Sequence, residues 1–325
     1  MAVLVTGGAG YIGSVAVEKL LERGEVVVVV DNLSRGHRTA VQDGAIFVQT
    51  DVGDSELIAK VLREHKIEAC LHFAAYAYVG ESVAKPEMYY QNNVVQSLKL
   101  FDNLTAHGIR NIIFSSTCAT YGEPIEMPIN ESHPQHPVNP YGMTKLMNER
   151  SLKKRSERNE LRFVALRYFN AAGASERHGE HHDPETHLIP LVLNAADDDG
   201  QPVYVFGDDY PTPDGTAVRD YIHVEDLADA HLLALDYLRN GGESDVFNLG
   251  TGSGCSVMGI IRSVERVTGK EVGYRIQDRR EGDPSYLVAD ASKAKSVLGW
   301  KPNRSGIDDI IKSAWSWKRR NLFGY

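Results

Sequence analysis

Short valine-rich runs alternate with amphipathic stretches of helical length through the first half of the chain. Residues 3–6, 26–31, 68–73 and 111–115 read as strands, and 14–23 and 83–106 carry helical spacing between them. Uninterrupted apolar runs divided by helices predict a parallel sheet buried on both faces, hence an α/β fold built on a Rossmann-type doubly wound parallel sheet. A further apolar run, 161–169, leads into a Gly-, Ala- and His-rich stretch, 171–183, that reads as a connecting loop. Beyond it the pattern loosens, with helical spacing over 222–238 and one more strand over 245–250. The division predicted is a first domain over 1–170 and a smaller mixed α/β domain over 171–325, with segments near 221–250 returning to the first. No internal repeat is visible.

Composition narrows the class without naming a chemistry. Of 325 residues, 42% are apolar and 24% charged, ordinary globular usage that excludes collagen and disorder. A formal net charge of -9 argues against affinity built on neutralising a phosphate backbone, so no nucleic-acid partner is expected. Cys70, Cys118 and Cys255 lie far apart without CxxC spacing, signalling neither a zinc site nor a disulfide framework. No basic-then-apolar leader opens the sequence, and no apolar run approaches the ~20 residues that span a bilayer. The expectation is a cytoplasmic protein with no membrane partner.

The first strand runs straight into Thr6-Gly7-Gly8-Ala9-Gly10-Tyr11-Ile12-Gly13, which opens a helix. In that setting Gly7 serves the tight turn, Gly10 lets backbone approach a pyrophosphate, and Gly13 allows close helix packing. The helix N-terminus offers free N–H groups to the anion. Asp31 ends the second strand about 20 residues on, where a carboxylate bonds the ribose hydroxyls of NAD. Arg35 and Arg38 nearby keep NADP as the alternative.

Tyr141-Gly142-Met143-Thr144-Lys145 has the form YxxxK, with Pro140 marking a helix start. Residues at i and i+4 share a face, so phenol and ammonium point into one site. The ammonium, together with a positive nicotinamide ring, is expected to lower the pKa of Tyr141 and make it a usable base. Thr117 ends the strand at 112–117, on the side of a doubly wound sheet that faces ligand, and can bond a reacting hydroxyl.

Taken with TGGAGYIG, DNLSRG, HFAAYAYVGES, FSSTCATYGEP, NPYGMTKLMNE, LRYFNAAGA, FGDDYPTPDGTAVRDYIHVEDLADAH, NLGTGSG and RREGDPS, the chain resembles the UDP-glucose (UDP-galactose) 4-epimerase family of extended short-chain dehydrogenases/reductases over its whole length. The resemblance implies NAD held by Gly7, Gly10, Tyr11, Ile12, Gly13, Asp31, Asn32, Asp51, Val52, Phe73, Ala74, Ala75, Asn92, Lys145 and Tyr168. It implies a UDP-sugar held by Asn170, His187, Leu188, Tyr204, Phe206, Arg219, Val257, Arg280, Asp283 and Leu287. The first domain is then the NAD-binding one and the second the UDP-sugar-binding one. Tyr141, Thr117 and Lys145 would carry oxidation at C4, rotation of the 4-keto sugar and hydride return. Pairing of helices 83–106 and 141–155 across a two-fold axis implies a homodimer.

Four positions depart from common family usage. Thr117 stands where many members have serine and keeps the hydroxyl. Ala77 stands where some place a lysine near the cofactor phosphates, removing a point charge. His187 replaces an asparagine that contacts the diphosphate. Leu287 falls at the position that gates the C2 pocket, and its intermediate bulk leaves UDP-N-acetylhexosamines, like the pentose pair UDP-xylose/UDP-arabinose, as alternative substrates. A 4,6-dehydratase or decarboxylase needs an acid directly after the active-site threonine, where this chain has Cys118 and Ala119. A non-catalytic NAD-binding regulator has no use for the Tyr141/Lys145 pair. His178, His181, His182 and His187 stand near Glu180, Asp183 and Glu185, but their spacing fits no compact zinc pattern and a loop is not rigid, so no metal is expected.

Overall fold

Five consecutive valines, Val26 to Val30, show why the chain begins as a buried sheet. Successive strand side chains point to opposite faces, so Val27 and Val29 enter one core and Val28 and Val30 another, all fully buried. The computed structural model describes residues 1–197, 200–280, 284–321 and 324–325.

In chain order come β1 (Ala2–Thr6), α1 (Tyr11–Glu22), β2 (Val26–Asp31), β3 (Ile46–Gln49), α2 (Ser55–Glu64) and β4 (Ile67–His72). Two short helices, α3 (Val79–Ala84) and α4 (Pro86–Tyr89), and a π-helical stretch Tyr90–Gln96 lead into α5 (Ser97–Ala106). Then follow β5 (Asn111–Thr117), α6 (Pro140–Glu157), β6 (Arg162–Tyr168), β7 (Asn170–Ala172), α7 (Leu188–Ala195), β8 (Val203–Phe206), β9 (Val218–Arg219) and β10 (Tyr221–His223). The chain ends with α8 (Val224–Arg239), β11 (Asp245–Leu249), β12 (Cys255–Ser256), α9 (Val257–Thr268), β13 (Tyr274–Gln277), β14 (Tyr286–Leu287), α10 (Ser292–Val297) and α11 (Ile307–Arg320).

Seven parallel strands form the central sheet in the order β11-β6-β5-β4-β1-β2-β3. The chain winds outward from β1 through β2 and β3, then restarts on the other side at β4. The crevice between β1 and β4 is therefore the switch point where such sheets bind ligand. One face is covered by α1 and α8, with Val17, Leu20, Leu227 and Leu235 against the sheet. The other is covered by α2, α5 and α6, through Ile58, Leu100, Phe101, Leu104 and Leu152. A separate core joins α7, β8, α9 and α11 through Ile189, Val192, Val205, Ile260, Val264 and Ile310.

Residues 221–250 lie mostly with the first layer, since β11 pairs with β6 and α8 lies on α1. The single helix expected over 83–106 is instead broken. Pro86 disfavours helical backbone at Lys85, which adopts φ -134 and ψ 59, and the π-helical stretch follows. Strand β3 has no counterpart in the sequence reading.

Candidate active site

Gly7 shows what the nucleotide turn demands. Its φ is +74, and a Cβ there would lie 2.6 Å from the Ala74 backbone nitrogen. At Gly13 a Cβ would meet the Gly7 carbonyl oxygen at 2.1 Å, so only glycine lets α1 start against the turn. Gly10 supplies no side-chain cap to α1, whose first N–H groups stay available to an anion. Asp31 is 8% exposed, and its two oxygens accept the N–H of Ala9 at 3.1 Å and of Leu33 at 2.8 Å. Asn32 donates to Asp51 at 3.2 Å, and Asp51 accepts the Gly53 N–H at 2.8 Å beside Val52. Phe73 and Ala74 donate to the Thr6 carbonyl at 2.9 and 3.1 Å, holding the end of β4 to that of β1.

Gly7, Gly10, Ile12, Gly13, Asp31, Asn32, Asp51, Val52, Phe73, Ala74 and Ala75 thus gather at the strand ends around the switch point, in a cradle that fits a dinucleotide. Arg35 is taken up by Glu81, its Nη2 lying 2.8 and 2.9 Å from the two carboxylate oxygens, and Arg38 lies over Phe47 at 4.6 Å. That engagement favours NAD over NADP. The Tyr11 phenol turns away and donates to Gly173 O at 2.6 Å, tying α1 to the connecting loop.

The helix carrying the YxxxK pair begins as its sequence says. Asn139 caps it by accepting the Gly142 N–H at 2.8 Å, and Pro140 occupies the first turn, where no N–H is needed. Tyr141 and Lys145 are both buried, and the Lys145 ammonium donates to Ser115 O at 2.8 Å. Its nitrogen lies 6.0 Å from the Tyr141 ring centroid. Thr117 stands opposite Tyr168 in the β5–β6 ladder, and the Tyr168 phenol meets Ser115 Oγ at 2.5 Å.

The protein's own groups do not lower the phenol. Burial pushes the Tyr141 phenol well above its ordinary value, Tyr168 adds to the rise, and the Thr117 hydroxyl pulls it back only in part. Burial also pushes Lys145 down to about 7 against the pull of Glu149. The lysine by itself does not make an acidic phenol.

The remaining candidate substrate positions lie on β7, β8, β9 and β14, after β13, and around the starts of α7 and α9. Arg219 and Leu287 are register partners in β9 and β14, and Leu287 and Cys118, the residue after Thr117, pack against the same buried cluster of Tyr121, Ile129, Phe169 and Ala289. Asn170 donates to Asp220 O at 2.9 Å, and Val257 N donates to Ala217 O at 3.1 Å at the start of α9. On β8, Val203 and Val205 are buried while Tyr204 and Phe206 face outward, and the Arg280 guanidinium covers Phe206 at 3.9 Å. Leu188 opens α7, with His187 at its cap. Burial lowers His187, but the Glu180 and Glu185 carboxylates outweigh it and push the imidazole up to about 10. Asn92 lies in the π-helical stretch and donates to Asn93 at 2.9 Å. Asp283 lies outside the described residues.

Three structural residues escaped the sequence reading. Buried Asn93 clamps both backbone groups of Tyr76, at 2.8 and 2.9 Å. Asp220 accepts from Thr251, Gly252 and Ala289, fixing the strand that carries Arg219. Glu149, discussed below, anchors α6. Each acts across long sequence separations, leaving no local motif. All three cysteines are free, and among the described residues no helix is long and apolar enough to cross a membrane.

Known proteins share this arrangement. A UDP-glucose 4-epimerase of Streptococcus mutans serotype c is 50% identical over 329 aligned positions, spanning 100% of this chain and 99% of that protein. The crystal structure of UDP-glucose 4-epimerase from Brucella ovis in complex with NAD matches with a TM-score of 0.95 at 47% identity, covering 97% of each chain. That of the Bifidobacterium longum enzyme in complex with NAD+ and UDP matches with a TM-score of 0.94 at 40% identity over 100% of both chains. The family model for NAD dependent epimerases/dehydratases matches residues 3–250, which take in every strand of the seven-stranded sheet and both halves of the crevice. By that span, the chain belongs to the NAD dependent epimerase/dehydratase family.

Proposed function

We propose that the chain interconverts UDP-glucose and UDP-galactose by NAD-dependent inversion of C4. The observation that carries this reading is the convergence of Thr117, Tyr141 and Lys145 at the end of β5, on the same edge of the sheet as the glycine turn. The NAD and UDP in the named complexes support it.

NAD held at the glycine turn and Asp31 would supply a hydride acceptor for C4 and the same hydride for its return to the opposite face. The chain's own residues do the rest. Tyr141 Oη takes the proton of the C4 hydroxyl and later returns it, and the Thr117 hydroxyl orients that oxygen. Lys145, fixed on Ser115 O, supplies positive charge below the phenol. Arg219 and Arg280 grip the diphosphate with forked hydrogen bonds, so that the sugar turns while UDP stays anchored. On this assignment residues 1–170 hold NAD and 171–325 hold the UDP-sugar. We place the protein in the cytoplasm, in galactose metabolism, as a homodimer joined through the helices around 83–106 and 141–155, where Val83, Val95 and Met147 are exposed.

Purified protein given UDP-galactose, with products separated by chromatography, is expected to yield UDP-glucose. A 4-keto-6-deoxy product, or no change at C4, overturns the reading. The same assay with UDP-xylose and UDP-N-acetylglucosamine sets the breadth, and light scattering sets the oligomer.

A further inference from the structure

We propose that Glu180, His182, Glu185 and His187 form a four-coordinate site for a divalent transition-metal ion, zinc by its donor set. This reverses the expectation drawn from spacing alone. The four donor atoms all lie within 4.8 Å of one another. His187 Nδ1 is 2.9 Å from Glu180 Oε1 and 3.0 Å from Glu185 Oε1. His182 Nδ1 is 3.3 Å from Glu180 Oε1 and 3.7 Å from Glu185 Oε2. Donors around a tetrahedral ion with bonds of about 2.0–2.1 Å stand about 3.3 Å apart, a length straddled by the edges from Glu180 Oε1 to both imidazoles and from either Glu185 oxygen to the imidazole it faces.

A second observation points to a ligand. His182 Nδ1 is shut off from solvent and faces a carboxylate oxygen of Glu180 at 3.3 Å and of Glu185 at 3.7 Å, without the alignment of a good hydrogen bond to either. Those carboxylates are themselves 7% and 14% exposed, an arrangement that needs compensating positive charge, supplied either by a proton on His187 or by a metal ion taking that proton's place. Two carboxylates and two neutral imidazoles balance a double positive charge. Two nitrogens with two oxygens suit zinc or cobalt, whereas calcium and magnesium prefer oxygen alone and copper(I) prefers sulfur.

The loop is also held ready. Arg35 Nη1 reaches Asp183 O at 3.3 Å, His37 Nε2 meets His181 O at 3.1 Å, and the Tyr325 hydroxyl bonds both Gly179 N and Gly179 O at 3.1 Å. With four protein ligands the coordination shell is closed, so the ion is structural. It braces the connecting loop where His182 sits edge-on to Tyr11 and Tyr78, at 6.2 and 5.8 Å between ring centroids. Ligation through Nδ1 leaves His187 Nε2 free to meet a substrate.

Untagged full-length protein, desalted without chelator, is expected to retain one equivalent of zinc by plasma mass spectrometry. Stripped and titrated with cobalt(II), it is expected to develop the intense visible absorption of tetrahedral cobalt, saturating at one equivalent and bleached by zinc. Glu180→Gln and His182→Ala are expected to lose that spectrum, and Glu176→Gln, exposed on the same loop, to keep it. Wild-type protein that retains no metal and gives a featureless cobalt titration overturns the proposal, whatever the variants do. So does an unchanged spectrum in folded His182→Ala. Neither readout uses NAD or a UDP-sugar, so the outcome is independent of the proposed reaction.

Discussion

Arg167 grips Glu149 inside the protein, its Nε 3.0 Å from Oε1 and its Nη2 2.5 Å from Oε2, with both side chains 5% exposed. Glu149 lies one helical turn past Lys145 on α6 and also accepts Ser116 Oγ at 2.5 Å. One carboxylate therefore ties α6 to β5 just before Thr117. Through Arg167 it reaches β6 and the Tyr121 hydroxyl, 3.0 Å away. The rotation of α6 that aims Tyr141 is set by this buried pair.

Removing one partner of such a pair strands the other charge, at a cost of about 3–5 kcal/mol. Glu149→Leu is expected to lower the unfolding free energy by about 3 kcal/mol or more in urea titrations. The Glu149→Leu/Arg167→Met double variant should lose less than the two single losses added together. Strict additivity would show that the residues do not act as a pair.

Tyr141→Phe removes a single hydroxyl whose hydrogen-bonding neighbour is Thr117. The fold and the nucleotide cradle should survive, and kcat should drop by about 10²–10⁴. Initial rates on UDP-galactose, alongside NAD released by acid from the same preparation, separate the two effects. A variant that keeps its NAD and its rate removes Tyr141 from the proton path.

The features legible in the sequence are the local ones. Gly7, Gly10 and Gly13 fall within one turn, and Tyr141 and Lys145 one helical turn apart, so chain order alone reports them. The Glu149–Arg167 pair and the Asp220 strut join residues brought together only by the sheet, and no spacing records them. Strand β3 escaped because it lies at the sheet edge with half-exposed side chains, giving a short and weak apolar run. Pro86 is visible, but nothing local encodes the π-helical stretch after it. Likewise the Glu180–His187 group interleaves carboxylates with histidines, and only the folded loop turns four donors toward one point.

Gly13→Ala tests the close approach at the nucleotide turn. The new methyl would lie 2.1 Å from the Gly7 carbonyl oxygen, which is backbone and cannot swing aside. Either α1 shifts away from the turn or the turn opens, and both pull N–H groups off the position a pyrophosphate needs. The variant is expected to copurify with little or no NAD and to need a large excess of added cofactor for activity. Full NAD occupancy in the purified variant would contradict the cradle described above.

His72 sets an acid limit on the fold. Its ring bridges Thr6 Oγ1 at 2.6 Å and Ser97 Oγ at 2.9 Å, directly beneath the nucleotide turn. Burial, with the nearby Lys145 charge adding to it, pushes this histidine from 6.5 down to about 3. The folded state therefore resists a proton that the unfolded chain takes up near pH 6.5. The stability at stake is fully present above pH 6.5 and is lost as pH falls from there toward 3, at about 1.4 kcal/mol per pH unit. His72→Gln keeps a hydrogen-bonding side chain but cannot titrate. Its unfolding free energy relative to wild type should rise by about 1.4 kcal/mol for each pH unit below 6, measured by urea titration between pH 4.5 and 6. Parallel curves for the two proteins would mean that His72 is not held neutral.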